Sequence, residues 1–364
     1  MTKVATTNPR RILIVRLSAI GDTILTSPLL DAIKRHYPET EVDWIVGSKS
    51  LPIVQMMPLV SRIFVFPKLM TPLRMLTSPL KGLDYIHTLT DLKHRMSERR
   101  YDVALDVQGL LKSGVASSLS CAQFKVGWKP DDVREMNWLF TNTWVPLPTG
   151  VHVVDSWLSM LRVIGIEPCK GRFPIVPPAE AMMEMRQFVN SASGGRPLIV
   201  MNVGASTINK CWPVEKYGEL ARRAAKDFGS LSVFTYGSQW ERDLAEQAAE
   251  QAGSAAVIGP KTTLFTLAAL LSYARVFIGG DTGPTHLAAA LGIPCLGVFG
   301  VTDPERTRPY GANNVVISRF RPGDSRRSGN LVDQQSMDEI GVEEVYLHLS
   351  RMLESVPPST VVAS

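Results

Sequence analysis

Cysteine is scarce in this chain of 364 residues: Cys121, Cys169, Cys211 and Cys295 are the only four, and they stand far apart. Without a CxxC pair, reduced structural thiols are expected rather than a metal site or a disulfide framework. Long apolar runs are missing too, and none approaches the roughly 18 residues of a membrane-spanning helix. The opening MTKVATTNPRRILIV passes from a short polar tail into a brief apolar run. It lacks the longer apolar region and small-residue cleavage site of a secretory signal, so a cytoplasmic location is expected. No G-x-G-x-x-G follows that run, which disfavours a nicotinamide dehydrogenase. Basic residues are not interleaved with aromatics in an RNA-binding manner, so no nucleic-acid partner is expected.

What is present is ordinary in amount and uneven in placement. Apolar residues make up 45% and charged residues 20%, as in soluble globular enzymes. The length exceeds what one core sustains, so two domains are expected. The net charge is +5. Residues 1–170 hold 21 Lys+Arg against 15 Asp+Glu, whereas residues 171–364 hold 18 against 19. A basic first half predicts an anionic partner there, with nucleic acid, a membrane surface and an acidic glycan all open on charge alone.

Apolar runs alternate with amphipathic stretches from end to end, which predicts parallel α/β sheets. RILIVRL is followed by SAIGDT and one helix to about Tyr37. Strands are then expected at 42–46, 63–66 and 102–107, with a helix after Gly109. GRFPIVPPAE (171–180), crowded with prolines, reads as a linker. Beyond it strands are expected at 198–203, 232–237, 276–280 and 295–300. Helices are expected from Val214 to Phe228, from Trp240 to about Gly253, near 284–291 and from Val342 to Leu353. The expected division is 1–172, 173–345, and 346–364 as a helix end and tail. Ligands of such units bind beyond the carboxyl ends of the strands, so the loops there matter most.

Four of these loops carry chemistry. In GGDTGPTHLAAALGIP (279–294) Pro284 suits the first turn of a helix, whose free N–H groups and dipole suit phosphate. Thr282 and Gly283 are the candidates to touch it, with Asp281 and His286 near enough for sugar hydroxyls; a capped helix with a structural histidine is the plainer alternative. In NVGASTINKCWP (202–213), Lys210 can neutralise charge on a departing diphosphate, or be a solvated loop lysine. In SAIGDT, Asp22 is either a helix cap or a general base for an attacking hydroxyl. In LDVQGLLKSG and GWKPDDVREMNW, Lys112, Lys129 and Arg134 can hold acceptor phosphates or carboxylates. From Arg74 to Arg100, Lys81, Lys93, Arg95 and Arg99 lie among apolar residues, which fits a membrane-surface patch, an anion cradle or an exposed charged helix.

Together with YDVALDVQGLLKSG, VHVVDSWLSMLRVIGI, NKCWPVEKYGELA and GGDTGPTHLAAALGIPCLGVFGVTDPERTRPYG, these strings resemble glycosyltransferase family 9, the ADP-heptose:lipopolysaccharide heptosyltransferases, over nearly the whole chain. The resemblance implies a GT-B fold, two Rossmann-like domains with parallel sheets facing a central cleft. The acceptor domain comes first and the nucleotide-sugar domain second. It implies Asp22 as catalytic base and Lys210 beside the donor diphosphate. It implies Ser206, Asp281, Thr282, Gly283 and His286 on the donor's phosphates and heptose, Glu241 on its ribose, and Lys112 and Arg134 on the acceptor. Ala205 departs from a second hydroxyl residue found in some relatives. SAIGDT, LDVQGLLKS and REMNW look closer to heptosyltransferase I, which adds heptose to Kdo of the inner core; heptosyltransferase II, another family-9 transferase with a different acceptor, and a noncatalytic sugar-nucleotide-binding protein remain alternatives. The implied donor is ADP-heptose and the implied acceptor an anionic lipopolysaccharide core. The implied place of work is the cytoplasmic face of the inner membrane, and no obligatory metal or other cofactor is expected.

Overall fold

Unbroken apolar runs such as RILIV and LIVMN leave no polar face for solvent, and strands of that kind belong in parallel sheets covered on both sides. The computed structural model, which describes residues 6, 8–68, 77–133, 135–321 and 335–355, contains two such sheets. The chain divides into two units, Met1–Ile175 and Val176–Ser364. The first holds β1 (Arg11–Val15), β2 (Glu41–Gly47), β3 (Arg62–Phe66), β4 (Val103–Asp106), β5 (Phe124–Trp128) and β6 (Thr143–Val145). The second holds β7 (Leu198–Asn202), β8 (Leu231–Thr235), β9 (Ala256–Ile258), β10 (Val276–Gly279), β11 (Cys295–Phe299) and β12 (Val315–Ser318).

Every pairing is parallel. The strand order is β3-β2-β1-β4-β5-β6 in one sheet and β9-β8-β7-β10-β11-β12 in the other. Each sheet is therefore wound outward in two directions from a central pair, β1/β4 or β7/β10. The connections leaving those two strands diverge, and a crevice opens at their carboxyl ends.

The cores follow from this winding. Ile12, Leu13, Ile14 and Val15 are fully buried, as are Ile199, Val200 and Met201. The helix Val214–Phe228 places Val214, Tyr217, Leu220, Ala221 and Ala224 on one stripe at helical spacing, and that stripe is buried. Trp212 lies edge-on to Tyr217, with ring centroids 4.9 Å apart, and donates its indole N–H to the Ile340 carbonyl at 3.0 Å. The helix Val342–Ser355 buries Val345, Leu349, Met352 and Leu353 in the same core.

Several expectations need correction. The stretch up to Tyr37 is two helices, Ile20–Thr26 and Pro28–His36, because Pro28 has no N–H to continue the first. Strands β5, β6, β9 and β12 were absent from the sequence reading; they are three to five residues long or interrupted by polar residues. Two of the cysteines, Cys121 and Cys169, are exposed rather than structural; all four are free thiols. Arg99 belongs to no basic surface. Its Nε meets Asp43 Oδ2 at 3.0 Å and its Nη2 meets Glu41 Oε2 at 2.6 Å. Lys81, Lys93 and Arg95 are exposed, with Arg95 paired to Asp91 at 3.6 Å. Arg74 lies outside the described residues.

Asp43 is wholly buried on β2, and among the described residues Arg99 and the Tyr101 hydroxyl, at 2.6 Å, answer its Oδ2. Removing one partner of a buried pair leaves an uncompensated charge, which costs about 3–5 kcal/mol. Arg99→Leu is therefore expected to lose stability of that order in denaturant unfolding.

Candidate functional site

The β7/β10 crevice is built from two loops that need each other. β7 ends at Asn202, whose side chain donates to the Gly204 carbonyl at 2.6 Å and accepts from the Thr235 hydroxyl at 3.2 Å, fixing the departure of the loop. The loop ends in a short turn, Ile208–Lys210. A Cβ on Gly280, just past β10, would stand 2.9 Å from the Lys210 carbonyl, so the two backbones meet only because residue 280 is glycine.

Asp281 is the hub of this crevice. Its Oδ2 faces Lys210 Nζ at 3.3 Å and its Oδ1 faces His286 Nε2 at 3.3 Å. Burial alone raises the Asp281 carboxyl; hydrogen bonding and charge at His286, together with Lys210, outweigh it and hold the group below its ordinary range. Thr282 is the N-cap of the helix Gly283–Ala290, but its hydroxyl pairs with the Thr285 hydroxyl at 3.2 Å and caps no backbone N–H. His286 is buried with its Nδ1 unpartnered. Lys210, Asp281, Thr282, Gly283 and His286 are thus gathered at one helix start, where dipole and N–H groups favour an anion.

Ser206 is exposed on the same β7 loop. Glu241 stands in the first turn of the helix Gln239–Ala252, where its Oε2 accepts from the N–H groups of Gly237 and Ser238, each at 2.8 Å. That is a capping role. A Cβ on Gly204 would lie 2.4 Å from Glu241 Cγ, so the side chain rests directly on the β7 loop.

The β1/β4 crevice has the same plan with different chemistry. Asp22, in the first turn after β1, accepts at Oδ2 from the Ala19 N–H at 3.2 Å and from Arg16 Nη2 at 2.6 Å. From the β4 loop, Gln108 Oε1 accepts from the Leu17 N–H at 2.8 Å, and Lys112 Nζ donates to the Ser18 hydroxyl at 2.6 Å. Asp22 and Lys112 are therefore brought to the two loops of one crevice. Lys129 is exposed just past β5, and Arg134 lies outside the described residues.

Four residues here escaped the sequence reading: Arg16, Asp106, Gln108 and Asn137. Asp106 ends β4 fully buried. Its Oδ1 accepts from the Gln108 and Gly109 N–H groups at 3.1 and 3.2 Å, and its Oδ2 from Asn137 Nδ2 at 2.7 Å. Glu135 Oε2 accepts from the Leu111 N–H at 2.6 Å at the start of the helix Leu111–Ser118. The segment 135–137 thus braces the loop that carries Gln108 and Lys112.

Two doubly wound sheets, each with a polar constellation at the point where its winding reverses, define the two-domain α/β architecture called GT-B. The chain belongs to glycosyltransferase family 9 (heptosyltransferase), whose pattern matches residues 89–334, and is an enzyme of the glycosyltransferase class. The lipopolysaccharide heptosyltransferase 1 of Pseudomonas aeruginosa is 31% identical over 314 residues, 86% of this chain and 84% of that protein. The lipopolysaccharide core heptosyltransferase OpsX of Haemophilus influenzae is 25% identical over 359 residues, 94% of this chain and 97% of that protein. The E. coli heptosyltransferase WaaC solved with ADP shares the fold at a TM-score of 0.76 and 24% identity, over 94% of this chain and 99% of that one.

Burial pushes the Asp106 carboxyl up to about 6 from its ordinary 3.8, against four hydrogen bonds that oppose the shift. A carboxyl that holds its proton more tightly when folded adds no penalty at low pH, a growing one between about 4 and 6, and the full one above. Asp106→Asn abolishes that titration. Relative to the parent, the variant should gain on the order of 3 kcal/mol between pH 4 and pH 7, whatever its constant cost from the lost Asn137 bond. Denaturant unfolding of both proteins at the two pH values checks the sign.

Proposed function

We infer that the protein transfers heptose from ADP-heptose to the Kdo region of the lipopolysaccharide inner core, with inversion at the anomeric carbon. The observation that carries the donor half is the convergence of Lys210, Asp281 and His286 on the helix start at Gly283. A diphosphate there meets an ammonium, hydroxyls and free backbone N–H groups, and charge that grows as it departs is stabilised where those donors already stand. Ser206 and Thr282 add hydroxyls to the phosphates. Asp281 and His286 face the heptose, and Glu241 Oε1 is the oxygen left for a ribose hydroxyl.

In the displacement the acceptor hydroxyl oxygen bonds to the anomeric carbon, the bond to the diphosphate breaks, and ADP leaves with the electron pair. The hydroxyl proton passes to Asp22. Lys112, with Arg134, holds an acceptor carboxylate or phosphate. Lys210 and the helix dipole supply the positive charge that a divalent ion supplies elsewhere, so EDTA should leave turnover intact. The heptosyltransferases named above, acting on lipopolysaccharide, support this reading. Work at the cytoplasmic face of the inner membrane fits the exposed Leu80, Leu83 and Ile86 on the helix Pro79–Ser97 beside Lys81. No described helix is long and apolar enough to cross a membrane.

The test is product mass from ADP-heptose and other nucleotide sugars with a heptose-free core, a singly glycosylated core, and no acceptor. Heptose added to the heptose-free core alone is expected; addition only to a core already bearing heptose would reassign the chain to the second-heptose step, and no transfer at all would make it a binding protein. Asp22→Asn should lower kcat by about 100- to 10,000-fold. Lys210→Met should lower it by about 100- to 1,000-fold. Normal turnover in a folded Asp22→Asn protein would remove the base.

A further inference from the structure

Arg16 is a charge in an unexpected place. It directly follows β1 at the rim of the crevice, yet only 5% of it is exposed. Its guanidinium lies 4.6 Å from the centre of the Trp157 ring, a side chain of the helix Val153–Leu158. Nη1 reaches the Val107 carbonyl at 3.5 Å, Nη2 meets Asp22 Oδ2 at 2.6 Å, and Nε has no partner. Burying an arginine this incompletely satisfied is costly unless a carboxylate compensates it. Asp106 is near enough to act on its charge, but both oxygens of Asp106 are already taken by Asn137, Gln108 and Gly109. The counter-ion in contact is Asp22, itself 44% exposed.

This pairing divides the two oxygens of Asp22. Oδ2 is bound by Arg16 and by the Ala19 N–H, and among the described residues Oδ1 makes no hydrogen bond. Because the guanidinium is clamped against Trp157 and below the surface, it cannot follow a swinging carboxylate; it fixes the plane in which Asp22 lies. We propose that Arg16 is the positioning residue of the transfer reaction: its buried guanidinium anchors Asp22 Oδ2 and presents Oδ1 as the oxygen that receives the acceptor's proton. Arg16 itself touches no substrate. The inference rests on Asp22 being the base.

A double-mutant cycle separates the two ideas. Arg16→Met keeps the length of the side chain, can stack on Trp157 and removes the buried charge. Misaiming a reacting group by about an ångström costs on the order of 100-fold. The expected result is a kcat lower by roughly that factor, with donor KM and calorimetric ADP affinity unchanged, and recovery of most of the loss in Arg16→Lys. In an Asp22→Asn background, Arg16→Met should change kcat no further, because the group it aims is gone. If Asp22→Asn is inactive while Arg16→Met turns over normally, or if the two losses simply multiply, the positioning role is wrong and the base survives. If Asp22→Asn retains turnover, the base falls first. Should Arg16→Met fail to fold, Trp157→Leu frees the guanidinium with both charges kept, and a fall in kcat at constant donor KM is then expected. An unchanged kcat there would overturn the proposal equally.

Discussion

Two neighbouring parallel strands whose connections leave in opposite directions set everything else in this protein. In each sheet that pair is central, so its carboxyl ends are flanked by strands yet roofed by no crossover helix. Residues leaving β1 and β4, or β7 and β10, have few partners except one another. Gln108 reaching the Leu17 N–H, Lys112 reaching Ser18 and Lys210 reaching Asp281 are three results of that one constraint. Two of the side chains proposed for chemistry, Lys112 and Lys210, are among those that link the loops of a crevice.

The two crevices settle their charge in opposite ways. In unit 2 the more buried group is a carboxylate, Asp281, and the more exposed partner is Lys210. In unit 1 the buried group is the cation, Arg16, and the partner reaching solvent is Asp22. An ion pair with one member anchored and one exposed holds the exposed member in place without taking it out of reach. Contrast Arg99 and Asp43, where both members are buried; that pair ties β2 to the segment before β4. The same residue types form a closed structural pair or a reachable one according to which partner the fold leaves uncovered.

That difference explains what could and could not be read from the residues. Strands with dense apolar runs, such as β1 and β7, and the stripe of Val214–Phe228 were legible because burial on a regular period writes itself into composition. β9 (AVI) and β6 (TWV) were not, since three residues carry no period and are recruited by the strand already beside them. The break at Pro28 is legible too, since proline has no N–H with which to continue a helix. At the sites, glycine and polar residues after strands mark the loops on which Asp22, Lys112, Lys210 and Asp281 stand. Arg16 was invisible because nothing in RLSAIGDT says that its guanidinium turns inward onto Trp157, more than a hundred residues later. Asp106 and Asn137 were invisible for the same reason, their bond joining residues 31 positions apart. A turn signal was available in DVQG, where an aspartate's carboxylate can take the N–H groups of the next residues.

The helix starts around the crevices differ in what covers their free N–H groups, and the proposed donor site rests on that difference. Four of them have a described side chain on their free N–H groups or N-cap: Asp22 at Ile20–Thr26, Glu135 at Leu111–Ser118, Ser238 with Glu241 at Gln239–Ala252, and Thr263 with Thr266 at Leu264–Ser272. At Gly283–Ala290 the N-cap threonine turns its hydroxyl to Thr285 instead, Pro284 removes one N–H, and no described side chain covers the rest. Unfilled N–H groups at a helix start are costly unless something satisfies them. Lys210 cannot, being itself a donor, and Asp281 is held to Lys210 and His286. The helix Val214–Phe228, after β7, also lacks a side-chain cap; the start at Gly283 differs in standing beside the Lys210–Asp281 pair, which is why the proposed diphosphate is seated there.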